Sequence, residues 1–153
     1  MKYSFLAIIA VLFMSCSDKD SEEEAVDYTE QNESQIKSYI TAHDLDATRS
    51  DSGLYYVINE EGTGKQPTAS SNVTVAYKGY YTDQTIFDKS KDAGVSFNLS
   101  QTIKGWIEGI PYFKEGGSGL LLVPAHLGYG SKDYYNIPGG SVLIFEIKLI
   151  SVN

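Results

Sequence analysis

One cysteine, two histidines and a single tryptophan are all that this 153-residue chain holds of those residue types. With one cysteine no disulfide can close within the chain, so its core alone must hold the fold. His43 and His126 do not make a metal pair, and no Cys/His cluster has metal-ligand spacing. No serine sits in the sequence context of a nucleophile elbow. The N-terminal apolar run, Tyr3 to Met14, is too short to span a bilayer as a stable helix. Basic residues are few and scattered: twelve Lys and Arg face twenty Asp and Glu, for a net charge of −8. That balance argues against nucleic acid as a partner and against direct attraction to anionic lipid headgroups. No internal repeat is visible.

What is present begins with the first residues. A positive start at Met1-Lys2, the short apolar run, then Ser15-Cys16 have the layout of an export signal. A small residue directly before the only cysteine resembles the signal of bacterial lipoproteins, although Phe13 stands where leucine is usual. The resemblance implies that residues 1–15 are removed. It also implies that Cys16 is lipidated and that the mature protein is held in the cell envelope by that lipid. The outer membrane is the expected location, with the chain facing the periplasm or the outer surface. Residues 16–27 are acidic and poor in apolar side chains, so they read as a flexible tether. Within 28–52, Ile36, Tyr39, Ile40 and His43 fall on one helical face, with Asp27 or Thr29 as cap. This N-terminal helix would pack on the domain or act as a spacer, with His43 a packing or surface residue. Asp44 to Ser52 reads as loop.

The remainder, 53–153, is dominated by strands, and twelve tyrosines suit half-buried strands. Leu54 to Asn59, Asn72 to Tyr81, Val95 to Leu99, Gly119 to Val123 and Ser141 to Ile150 carry strand patterns. In the second of these, Val73, Val75 and Tyr77 share one face. A helix is expected from Gln101 or Thr102 to Ile110, stopped by Pro111. The predicted fold class is α+β: an antiparallel twisted sheet wrapped around one short helix. The connection Pro124 to Gly140 is long, and such loops are usually functional. Gly62-Thr63-Gly64-Lys65 lacks the flanking residues of a phosphate loop and reads as a turn. Asn32, Asn72 and Asn98 begin N-x-Ser/Thr triplets that read as chance.

Several pieces occur in a fixed order: Val73 to Tyr81, Ile86-Phe87-Asp88, Gly105-Trp106-Ile107-Glu108-Gly109, Leu120 to Pro124, Gly128-Tyr129-Gly130, Ile137-Pro138 and Leu143 to Glu146. From about Gly53 to Val152 they resemble the FKBP-type peptidyl-prolyl cis-trans isomerases. The resemblance implies an apolar bowl that holds proline, with Trp106 as floor. Tyr77, Phe87 and Phe145 would be walls, Ile103 and Ile137 would close the bowl, and Phe97 would lie beside it. Asp88 would be the polar rim group, oriented by a tyrosine hydroxyl, with Tyr77 the candidate. Tyr129 and the Ile103 backbone N–H would donate hydrogen bonds to substrate. Any one of these aromatics alone reads as core packing; the ordered set is what is specific.

Isomerisation of an X-Pro bond needs no nucleophile, metal or cofactor, and none is expected. Proline-containing polypeptides are the implied substrates, and the family's macrolides a further ligand class. Two other readings stand beside catalysis. One is the same fold used as a peptide-binding or chaperone module without turnover. The other is a surface lipoprotein that docks a partner through Tyr134 and Tyr135. The pattern departs from the family at Gln84, where glycine is usual, and at Val95, where phenylalanine is common. It departs again at Gly128, where alanine is common, and in the aromatic loop Asp133-Tyr134-Tyr135-Asn136.

Overall fold

The alternation of Val73, Val75 and Tyr77 becomes the central strand of the protein. In the computed structural model, which describes residues 25–153, that strand is β3 (Asn72–Tyr80). Val73 and Val75 are fully buried, while Thr74 and Lys78 face outward at the strand's other positions. The expectations for the signal, Cys16 and nearly all of the tether lie outside the described residues.

Chain order is α1 (Thr29–Ala42), β1 (Thr48–Arg49), β2 (Tyr55–Glu60), β3, β4 (Ile86–Lys89), β5 (Val95–Asn98), α2 (Lys104–Gly109), β6 (Ser118–Val123) and β7 (Leu143–Val152). The strands form one antiparallel sheet in the order β1-β2-β6-β7-β3-β4. Both β4 and β5 pair with β3, β5 along Asn72 to Val75 and β4 along Lys78 to Tyr80. Ser90 fills the gap between them. Its Oγ accepts from the Tyr77 N–H at 2.9 Å and its N–H donates to the Tyr77 carbonyl at 3.0 Å. The break leaves the Tyr77 ring aimed inward beside the free end of β4.

One face of the sheet curls over α2. Trp106, Ile110, Leu54, Leu121, Phe113, Phe145 and Leu149 form the main core there. The glycines around Trp106 explain how close the helix comes. A Cβ on Gly105 would lie 2.6 Å from Val123, and one on Gly109 would lie 2.7 Å from Leu121. Only hydrogen at both positions lets α2 lie flat on β6 and turn the indole into the sheet's concavity.

The other face is covered by α1. Ile36 and Tyr39 pack on Tyr55, Val57, Tyr80, Leu122 and Ile144 in a second buried cluster. The helix therefore straps the sheet rather than standing off it. The Asp27 carboxylate accepts from the Thr29 N–H at 2.9 Å at its start. His43, just past its end, stacks on Tyr39 at 3.9 Å.

Four expectations need correction. The segment 44–52 is not all loop: Thr48 and Arg49 pair with Tyr56 and Tyr55. Ile86 to Lys89 is a strand of its own. The inner helix starts at Lys104, because Leu99–Gln101 forms a separate 3-10 turn capped by Asn98, whose Oδ1 accepts from the Ser100 N–H at 3.0 Å. Pro111 does not end the structure abruptly; it sits in a 3-10 turn, Ile110–Tyr112, that extends α2. At Gly62 to Gly64 the N–H groups of Thr63 and Gly64 both donate to the Glu115 carbonyl, so they make a turn.

Candidate functional site

The concave face of the sheet leaves a cavity of about 420 Å³ open to solvent beside α2. Its base is Trp106, 5% exposed. The indole Nε1 is buried and, among the described residues, has no hydrogen-bond partner; because that nitrogen is out of reach, the floor presents carbon to the cavity. Leaving a donor unpaired costs about 1–3 kcal/mol; the dense aromatic packing around the ring sets against that cost.

That packing is edge-to-face. Tyr77 meets the indole at 5.1 Å and 84°, and Phe145 meets it at 5.2 Å and 81°. Phe97 leans on it at 5.4 Å, and Phe87 stands against Phe145 at 5.6 Å and 89°. Such pairs contribute roughly 0.5–1.5 kcal/mol each beyond area burial, so the bowl is stiff before any ligand arrives. β3 supplies Tyr77, β4 Phe87 and Asp88, β5 Phe97, β7 Phe145 and α2 the floor. Residues far apart in sequence converge because β4, β5 and β7 all pair with β3.

Polar groups stand at the rim. The Tyr77 hydroxyl donates to Asp88 Oδ2 at 2.7 Å, and the Lys89 N–H donates to Asp88 Oδ1 at 2.8 Å. Burial, reinforced by the hydrogen bond and charge of Asp88, pushes the Tyr77 phenol far above its ordinary range. Tyr129 is 37% exposed and stacks on Tyr134 at 4.7 Å. Burial of its hydroxyl, then the proximity of Tyr134 and Asp88, raises its pKa as well. Both hydroxyls therefore stay protonated and able to donate near neutral pH. At the far edge Ile103 precedes α2 in an extended conformation. Among the described residues its N–H has no acceptor.

Tyr77, Phe87, Asp88, Phe97, Ile103, Trp106, Tyr129 and Phe145 all line this one cavity. Ile137 does not; it is 7% exposed and belongs to the core behind. The reason is a tight hairpin in which Tyr134 and Ile137 exchange both backbone hydrogen bonds at 2.9 Å. That turn sends Ile137 inward and puts Tyr134 on the rim instead. Val95, Gln101 and Thr102 complete the lining. By sequence Gln101 and Thr102 read as the start of a helix and not as site residues. Their position directly before Ile103 was the available signal. A wider groove of about 730 Å³ crosses the outer face; its lining includes the charged pair Lys78–Glu146, 2.7 Å apart, with Lys78 Nζ over the Tyr80 ring.

A half-open antiparallel sheet, curled over one short helix, thus cups a rigid aromatic bowl. Residues 63–150 match the family model of FKBP-type peptidyl-prolyl cis-trans isomerases, and the chain belongs to that family. The probable FkpA isomerase of Neisseria meningitidis serogroup B is 44% identical over 106 residues, 66% of this chain and 38% of the relative. The FkpA isomerase of Escherichia coli K12 is 36% identical over 142 residues, 90% of this chain and 51% of the relative. The crystal structure of FkpA from Escherichia coli superposes with a TM-score of 0.73 at 35% identity, over 82% of this chain and 61% of that one. A peptidyl-prolyl cis-trans isomerase from Pseudomonas syringae superposes with a TM-score of 0.70 at 27% identity, over 82% of this chain and 96% of that one. The chain spans about half the length of the curated relatives it matches.

Proposed function

We propose that this protein catalyses cis/trans isomerisation of X-Pro bonds in polypeptides, and that the bowl over Trp106 is where it does so. One observation carries the reading: a floor that offers only carbon, walled by edge-on aromatics, with hydrogen-bond donors confined to the rim. Amide resonance sets a barrier of about 18–20 kcal/mol. Twisting the C–N bond removes that resonance and with it part of the charge separation across the amide. A dry apolar site therefore disfavours the planar, polarised amide more than the twisted one. Each ~1.4 kcal/mol of such difference is tenfold in rate.

In this reading the proline ring lies flat on Trp106 between Tyr77, Phe87 and Phe145. The Ile103 N–H and the Tyr129 hydroxyl donate to carbonyls flanking the bond that turns, which fixes the chain while the amide rotates. Donation to the rotating carbonyl itself would favour the planar form and slow the reaction. Asp88 holds the Tyr77 ring upright and places one negative charge at the rim. Tyr134 and Tyr135 would meet residues next to proline. The substrates would be exported proteins, for which slow proline isomerisation limits folding. The Ser15-Cys16 signal supports a lipid-anchored place in the cell envelope, and the bowl also suits the family's macrolide ligands.

The test follows exchange of short X-Pro peptides with and without the protein, using Trp106→Leu as control. Acceleration that disappears in the variant is the expected result. A folded wild-type protein that leaves the exchange rate unchanged, across several residues before proline, overturns the isomerase reading in favour of a binding module.

A further inference from the structure

Asn32 is fully buried, and among the described residues it is the one polar side chain in that class. It projects from α1, on the side of the sheet away from the bowl. Its Nδ2 donates to Gln35 Oε1 on the same helix at 3.1 Å, and its other two side-chain bonds both go to one loop. Its Oδ1 accepts from the Ala125 N–H at 2.8 Å, and its Nδ2 donates to the Gly140 carbonyl at 2.9 Å. Ala125 and Gly140 lie near the two ends of the loop between β6 and β7.

The loop closes the circuit from its own side. The Gly130 N–H donates to the Ala125 carbonyl at 2.8 Å, and the Gly140 N–H donates to the Gly130 carbonyl at 2.9 Å. Asn32, Ala125, Gly130 and Gly140 thus form a ring of four hydrogen bonds, each member donating once and accepting once. Tyr129 is the residue next to Gly130, opposite Asn32 in that ring. The start of α1 is seated on the same place. Gly140 has φ +76, and a Cβ there would strike the Tyr28 ring at 2.4 Å. Only glycine combines this left-handed backbone with that contact.

We propose that Asn32 is a positioning residue for the bowl: through this ring it holds the Tyr129 hydroxyl at the rim. The claim rests on the isomerase reading for its rate consequence, but not for its structural one. Asn32 sits in a closed cycle of mutually polarising bonds, its own two buried. Removing its side chain deletes two of the four links and leaves Gly130 tied to nothing outside the loop. The strap helix is then part of the site's scaffold.

The experiment uses the full chain with Asn32→Ala, Tyr129→Phe and the double variant. Backbone amide exchange is measured on each, and kcat/KM for an X-Pro peptide well below the melting temperature. The expected result for Asn32→Ala is faster exchange at Gly130 and Gly140 with an unchanged β3–β7 ladder. Its kcat/KM should fall about fivefold to tenfold, the rate equivalent of one hydrogen bond's worth of positioning. In the Tyr129→Phe background the same substitution should change the rate less than about twofold, as for two residues acting through one donor. A purely structural Asn32 would lower stability yet leave kcat/KM of the folded protein unchanged, or lower it equally in both backgrounds; either overturns the proposal. If wild type shows no acceleration, the isomerase reading fails alone. Exchange then decides: retained protection at Gly130 and Gly140 in Asn32→Ala overturns the clamp, and its loss upholds it. Should Asn32→Ala not fold, Asn32→Asp keeps the acceptor for Ala125, removes the donor to Gly140 and is read in the same way.

Discussion

The Tyr77 hydroxyl and the Asp88 carboxylate meet at 2.7 Å across the boundary between bowl and solvent. The bond joins a half-buried wall to an exposed acid, so it orients more than it stabilises. Tyr77→Phe should cost about 0.5–1.5 kcal/mol of stability or less, because water can replace the donor at Asp88. The rate should fall less than tenfold, since the ring remains. Asp88→Asn keeps an acceptor for Tyr77 and removes the charge. A larger rate loss in Asp88→Asn than in Tyr77→Phe would show that the charge matters beyond holding the ring. Stopped denaturation curves and peptide exchange on both variants separate the two effects.

Floor and rim should part company under mutation. Trp106→Leu removes a buried ring held by Tyr77, Phe97 and Phe145. A loss of about 2–4 kcal/mol in stability is expected, within the range for large-to-small core changes, together with at least a tenfold loss of rate. Tyr129→Phe keeps the stack on Tyr134, and among the described residues its hydroxyl makes no internal hydrogen bond. Its stability should stay within about 0.5 kcal/mol of wild type, while the rate falls about tenfold. Urea titration beside the exchange assay checks both, and a Tyr129→Phe protein with full activity would remove the hydroxyl from the mechanism.

Alkaline pH should reveal the buried phenols. Burial comes first among the causes that raise Tyr77, Tyr80 and Tyr129 above the ordinary phenol value of 10.0. The folded state therefore holds these protons more tightly than the unfolded chain. Stability from this source is complete below pH 10 and declines as pH rises through and beyond it, where unfolded tyrosines ionise and folded ones do not. Catalysis of the folded protein should stay level through pH 10, because Tyr129 donates while protonated and its pKa is raised. Melting temperature and phenolate absorbance across that range test the sign. A melting temperature that rises above pH 10 would contradict it.

The aromatic bowl was readable from sequence because its members are large, apolar and ordered along the chain. What escaped were polar residues whose partners are distant. As a sequence Asn32 only begins an N-x-Ser triplet, yet two of its side-chain bonds reach 93 and 108 residues along the chain. The other two triplets also contain working side chains: Asn98 caps a turn and donates to Asn72 at 3.0 Å. β1 and β4 escaped for another reason. Two or four residues cannot display a period, and pairing with β2 and β3 makes them strands. The family resemblance puts Ile137 at the bowl, but it carries no account of the two-residue hairpin that turns this side chain into the core here. The positive φ of Tyr135, +50, reverses the chain there and exchanges Ile137 for Tyr134 at the rim.

Gln84 shows how a departure from the family pattern can be absorbed. Its φ of +71 is left-handed, which costs a residue with a Cβ roughly 1–2 kcal/mol. Glycine would avoid that strain. The side chain does something glycine cannot: its Nε2 donates to the Tyr39 hydroxyl at 2.9 Å and lies 3.2 Å from His43 Nε2. The turn before Phe87 and Asp88 is thereby fastened to the far end of the strap helix. Gln84→Gly should relieve the strain and lose the latch, leaving global stability within about 1 kcal/mol of wild type. The change should appear locally, as faster amide exchange in the last turn of α1, at Tyr39 to His43, with the central ladder unaffected. Unchanged exchange there would mean that packing of Ile36 and Tyr39 on the sheet secures the helix end unaided, and that Gln84 is strain without a return.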